Sequence, residues 1–434
     1  MKRRTFLRSG SAAAVTLVIA AAADEPSTAP QSFLPSEPLT VYPDGTVRIN
    51  RLLDASLNVA IPAGIYMITG GLNVRDGHVI EAAAGAQVTL KCAASLSSPI
   101  ILTYDKSFTV RGLTFDGAYS DRASLEGNGD AALIQFIGGT NVTLENNKFH
   151  YSPTFAIWAW RPIAPQIRGN TFLECWQPIR LDGSGLQSGV IENNVFKNTA
   201  AFRSIQHIDA LWTRNLVVRG NTMEGAGLAE PTSHGYEGTW GNSIFLVNST
   251  GYLVEGNTVR ANYWSALVSG AGSSGGVIRN NYLSDGTSTS AAVWIEQGGA
   301  AYITVDGNAL DGGISCGDGG GDNLTITNNA IRSRSVGIDV SGGAKTVLIQ
   351  GNRFSSKAGN RFENGMYLWQ KNTPDVNVRV INNHIEGFNN GIAINNHHAA
   401  GTVYGISLTG NTFLNNNINV WVPSSIVLNQ PLGQ

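Results

Sequence analysis

The stretch NVTLENNKF (141–149) decides the fold, because its pattern returns along the chain. Alternating apolar residues lead to Gly-Asn or Asn-Asn, and one residue later comes a large apolar side chain. PQIRGNTF (165–172), GVIENNVF (189–196), NLVVRGNTM (215–223) and GYLVEGNTV (251–259) repeat it. So do GVIRNNYL (276–283), YITVDGNAL (302–310), NLTITNNAI (323–331), TVLIQGNRF (346–354), NVRVINNHI (377–385) and GISLTGNTF (405–413). An earlier copy, SFTVRGLTF (107–115), carries Leu113 in place of the Asn. The second Asn falls at 147, 170, 194, 221, 257, 281, 308, 329, 352, 383 and 411, about 26 residues apart on average. A fixed period of this size marks a solenoid. No amphipathic helix separates the copies, which excludes a βαβ arrangement. Asn tolerates left-handed backbone and bonds backbone groups through its amide, so stacked copies predict an Asn ladder at one turn of every coil.

The expected fold is all-β, a single-domain right-handed parallel β-helix of about 12–13 coils stacked about 4.8 Å apart. At these motifs the chain resembles the right-handed parallel β-helix family, the pectin-lyase-like fold of many polysaccharide lyases and hydrolases, over roughly residues 40–420. The segment VAIPAGIYMITGGLNVRDGHVIEAAAGAQVTL (59–90) resembles the opening of pectate-lyase-superfamily proteins. The resemblance implies glycoside hydrolases that cluster carboxylates on one sheet, although their family-specific motifs are not matched here.

Composition narrows the partners. The 434 residues carry 29 Lys+Arg against 31 Asp+Glu, and only 14% are charged. That balance argues against nucleic acid, whose phosphates want a basic face. Residues 1–23 read as an export signal: Arg3-Arg4-Thr5-Phe6-Leu7-Arg8 resembles a twin-arginine motif, and Ala21-Ala22-Ala23 precedes Asp24 as a cleavage site. Residues 24–40, with Pro26, Pro30, Pro35 and Pro38, read as a flexible leader to the β-helix domain at 41–434. The expected location is periplasmic or secreted. No stretch is long enough for a membrane span. Cys92, Cys175 and Cys316 are expected as small buried hydrophobes.

Between Asn motifs each coil carries another strand, such as AIWAWRP (156–162), PIRLDGSG (178–185) and IQHIDALW (205–212). Period-2 alternation sends every second residue outward. Carried along, it gives an outward column of Trp158 and Trp160, Arg180 and Asp182, then His207 and Asp209. SIFLVNS (243–249) stays open between Phe245/Val247 and Leu246/Asn248. Leu267 and Ser269, Trp294 and Glu296, Ser315 and Gly317, Asp339 and Ser341, and Tyr367 and Trp369 follow. Tryptophans mixed with Arg, Asp and His read as a carbohydrate cleft, since aromatic faces stack on sugars and carboxylates run acid–base chemistry. The insertion 224–241 adds Glu230, His234, Tyr236, Glu237 and Trp240; with 117–130 and 355–365 it enters at one turn and overhangs one edge.

In this reading Asp182 and Asp209 sit about 5 Å apart on neighbouring coils and form the reacting pair, with Glu237 as an alternative catalytic partner. Trp158, Trp160, Arg180, His207, His234, Tyr236, Trp240, Trp294 and Glu296 bind substrate. The expected activity is glycoside hydrolysis, or transglycosylation of a fructotransferase-like kind, without a cofactor. Two alternatives stand beside it. One is a polysaccharide lyase with Arg180 or His207 as base and Ca²⁺ held by Asp182, Asp209 or Asp339. The other is a non-catalytic glycan-binding solenoid. Sugar, linkage and oligomeric state stay open.

Overall fold

The computed structural model describes residues 38–428, apart from 184–187, 200–203, 228–240, 287–290, 297–299, 318–320, 342–344, 358–362, 371–375, 397–400, 404 and 425. Three long parallel sheets run through the described residues as a right-handed β-solenoid of about 12 turns. The alternating residues of the repeat make the first sheet, in which Thr143–Glu145 pairs with Thr109–Arg111 on one side and Gln166–Arg168 on the other. The residues after the Asn make the second, where Lys148–His150 lies between Thr114–Asp116 and Thr171–Leu173. The strands between motifs make the third.

The Asn ladder forms as its spacing predicts. Asn147 donates through its backbone N–H and its Nδ2 to Asn170 Oδ1, at 2.9 and 3.1 Å. Asn170 donates likewise to Asn194, and the relay continues to Asn411. Each Nδ2 also reaches a backbone carbonyl one coil back, as Asn170 does to Leu144. The two motif positions divide the work. The first holds left-handed backbone, as at Asn146, Gly169, Asn193 and Gly220, which is why only Gly or Asn stands there. The second satisfies buried backbone groups that would otherwise cost about 1–3 kcal/mol each.

The core is built in columns. In the second sheet Phe115, Phe149, Phe172 and Phe196 stack with ring centroids 4.8–5.0 Å apart. Each such pair adds about 0.5–1.5 kcal/mol beyond its burial. In the third sheet Ile157, Ile179, Ile208 and Ile244 align and are buried. All three cysteines are buried.

Helix α1 (Gly45–Ala55) is an element the repeat does not announce. It buries Ile49 and Leu53 against the first strands, shielding the sheet edge there. Gly45 lies so close to Gly64–Ile68 that a Cβ would sit 2.7 Å from the Met67 backbone.

Candidate functional site

The third sheet turns an irregular outward face to its surroundings. Six successive coils leave the sheet through a residue with positive φ: Asp105, Gly138, Arg161, Gly183, Trp212 and Asn248. Gly, Asp and Asn tolerate that conformation; a bulky Trp is strained there, by about 1–3 kcal/mol. Trp212 nevertheless adopts φ 54° and stands 48% exposed. Two coils before it, Trp160 is 43% exposed. Between them lies Asp182. Trp160, Arg161, Asp182, Gly183 and Trp212 line a hollow of about 390 Å³. Gly183 is required for this shape, because a Cβ there would come within 2.6 Å of the Trp160 ring.

Beneath the hollow a polar chain runs into the protein. Arg180 donates from Nη2 to Asp182 Oδ2 and from Nη1 to Asp209 Oδ2, both at 3.1 Å. Gln177 Nε2 donates to the same Asp209 oxygen at 3.0 Å. Asp209 is only 4% exposed, and its Oδ1 is buried without a hydrogen-bond partner. Burial pushes its carboxyl up to about 6; Arg180 and Gln177 pull it down, and the Asp182 charge adds to the rise.

This geometry corrects the sequence reading at four places. Arg180 pairs with Asp209, not with His207, so Asp182 lies diagonally from Asp209 and faces Leu211. Alternation fixes parity but not a slip of two residues, and the connection before this strand, 198–207, is longer than the 174–176 connection before Gln177–Asp182. His207 faces inward. It precedes the strand Ile208–Leu211, is wholly buried and stacks on Phe196 at 5.5 Å. Burial lowers its imidazole to about 3, so it is neutral. Leu267 and Ser269 also point inward, aligned with Ile244 and Leu246. Ser269 is tolerated there because its hydroxyl meets Tyr252 Oη at 2.7 Å. Phe245 and Val247 are therefore the outward pair of their coil. Finally, Trp158 is not an open platform: the turn at Gly129 closes over its ring, and it packs on Phe155 at 5.5 Å. That turn belongs to the connection 117–132, which is anchored by the buried Arg122 on Leu96 O and Gly117 O.

Trp294 is outward and half-buried, tilted against Trp264 at 5.8 Å. Glu296 follows four coils beyond Asp182 in the same column, about 19 Å away at the spacing of parallel strands. His234, Tyr236, Glu237 and Trp240 lie outside the described residues. The structure therefore brings together Trp160, Arg180, Asp182 and Asp209, and adds Trp212. Parity alone points Trp212 inward. The signal that finds it is a Trp in a column of corner residues otherwise rich in Gly, Asp and Asn.

Among the described residues no three His, Cys, Asp or Glu side chains form a group that could hold a metal ion. The carboxylates of Asp182 and Asp209 are bridged by a guanidinium instead.

The chain is similar in structure to the mannuronan C-5 epimerase AlgE6 A-module of Azotobacter vinelandii, at 17% identity over 90% of this chain and 96% of that one, with a TM-score of 0.35. It is similar to the catalytic domain of a GH87 alpha-1,3-glucanase in complex with nigerose, at 16% identity over 94% and 70%, TM-score 0.43. It is similar also to PfbA, a surface adhesin of Streptococcus pneumoniae, at 12% identity over 88% and 93%, TM-score 0.47. No curated protein matches the sequence. The model of the right handed beta helix region matches residues 98–237, 166–318 and 235–385. With the ladder, the three parallel sheets and these overlapping matches, the chain belongs to the right handed beta helix family.

Proposed function

We propose that this chain is an exported carbohydrate-cleaving enzyme, a glycoside hydrolase or transglycosidase, that holds sugar rings on Trp160 and Trp212 and uses Asp182 as its reacting carboxylate. One observation carries the reading: two exposed tryptophans, one at a strained backbone position, flank an accessible carboxylate. Aromatic faces suit the apolar faces of sugars. Arg180 fixes Asp182 through Oδ2, and Asp209, too buried to touch a substrate, positions Arg180 from below. The proton donor is the role expected of Glu237. Export rests on the signal at residues 1–23.

The lyase alternative draws less support. His207 is buried against Phe196, and Arg180 is committed to two carboxylates, so neither candidate base is free to reach a uronate. Binding without cleavage is favoured by one observation, that Asp182 is the single carboxylate lining the hollow among the described residues. Mass analysis of products from a panel of neutral and acidic polysaccharides separates the three. Saturated oligosaccharides are expected, with turnover in Asp182→Asn lowered about a hundredfold or more. An unsaturated, ultraviolet-absorbing product establishes a lyase; binding without any product establishes a lectin-like role.

A further inference from the structure

We infer that the ligand is an extended glycan segment lying along the solenoid axis, over a track of three exposed rings: Tyr104, Trp160 and Trp212. The inference rests on the carbohydrate reading of the corner and extends it from a sugar to a polymer. Tyr104 ends the strand Ile101–Tyr104 and is 58% exposed. It pairs with Ile137, which pairs with Trp160. Trp160 pairs with Asp182. The next coil places Leu211 beside Asp182, and Trp212 follows it directly.

The rings thus return at every second coil. With strands about 4.8 Å apart, they are about 10 Å from one another and the track spans about 20 Å. A sugar unit in an extended chain advances by about one coil height, so alternate units meet successive rings. Ile137 occupies the position between the first two rings and Asp182 the position between the last two. The reacting carboxylate is therefore placed inside the track, where an internal linkage would lie.

The features of the face favour a glycan over other chains. Exposed large apolar side chains in one line mark a contact surface. The strands beneath Trp160 and Trp212 are paired on both sides within the sheet, so along most of the track a peptide has no strand edge to extend; Ile101–Tyr104 ends the sheet and is bridged beyond it at Ile101. The chain's formal net charge is −2, which gives little attraction to a polyphosphate backbone.

The test is calorimetric titration of the mature protein with laminari-, cello- and manno-oligosaccharides from disaccharide to octasaccharide. Affinity should climb with length until the chain covers the track, then level. Tyr104→Ala should weaken octasaccharide binding about tenfold and flatten the dependence on length. Tyr151→Ala, an exposed tyrosine on the opposite corner of the coil, should leave the whole series unchanged. Affinity independent of length, or a Tyr104→Ala protein identical to the parent, overturns the track while leaving a carbohydrate site in place. Failure of the underlying reading looks different: no oligosaccharide and no polysaccharide binds at all. Salt-sensitive binding of a single-stranded oligonucleotide in their place overturns both.

Discussion

Asp209→Asn tests the polar chain beneath the hollow through its pH dependence. The Asp209 carboxyl moves from 3.8 to about 6 on folding, chiefly because burial penalises its charge. The folded protein therefore binds this proton more tightly than the unfolded chain does. Between those two values stability falls as pH rises, and above pH 6 the ionised group costs about 3 kcal/mol relative to its protonated form. Between pH 4 and pH 7 the expected loss is about 2 kcal/mol from this residue alone. Asn keeps an oxygen for Arg180 and Gln177 but does not titrate in this range. Urea unfolding of both proteins across that interval isolates the effect, since their other groups cancel. The variant should gain about 2 kcal/mol on the parent from pH 4 to pH 7. A flat difference, or a parent that gains on the variant as pH rises, would show that burial does not raise the Asp209 carboxyl. It would mean that the Arg180 ion pair outweighs the desolvation of Asp209.

The ladder, the core and the strained corner make further predictions. Asn281→Ala leaves the Asn257 backbone N–H without its acceptor and removes the Nδ2 bond to Val254 O, so urea unfolding should show a loss of about 3 kcal/mol. His207→Phe should raise the melting temperature. It extends the phenylalanine stack and removes two buried ring nitrogens that lack partners. Trp212→Asn relieves the left-handed strain and should hold or raise stability by about 1 kcal/mol while abolishing retention on polysaccharide. Arg3-Arg4 changed to Lys-Lys should block export if the twin-arginine reading is right; fractionation that still finds the mature protein outside the cytoplasm points to the general secretory route.

The sequence carried the fold because one residue type recurs where one backbone need recurs. From Asn147 onward the coils close the same buried turn with an Asn amide, which also accepts a bond from the coil before it. The inward columns were legible for the same reason, as runs of Ile, Leu and Val at period 2. The site was legible only in part. Alternation placed Trp160, Arg180 and Asp182 outward, but it is blind to a shift of two residues, and so it set Asp209 opposite Asp182 rather than Arg180. It also fails beyond a strand's ends. His207, one residue before its strand, turned into the core, and Trp212, one residue after the same strand, turned out through a positive φ. Ser269 shows the third limit: a buried hydroxyl with a partner reads from sequence as a surface residue.

The most direct measurement is affinity electrophoresis of the mature protein through gels containing each polysaccharide of the panel, with Trp160→Ala and Trp212→Ala run beside the parent. One polysaccharide should retard the parent, and each substitution alone should abolish the retardation while the melting temperature stays within a few degrees. Retardation that survives both substitutions would place the carbohydrate site elsewhere on the solenoid, away from Trp160 and Trp212.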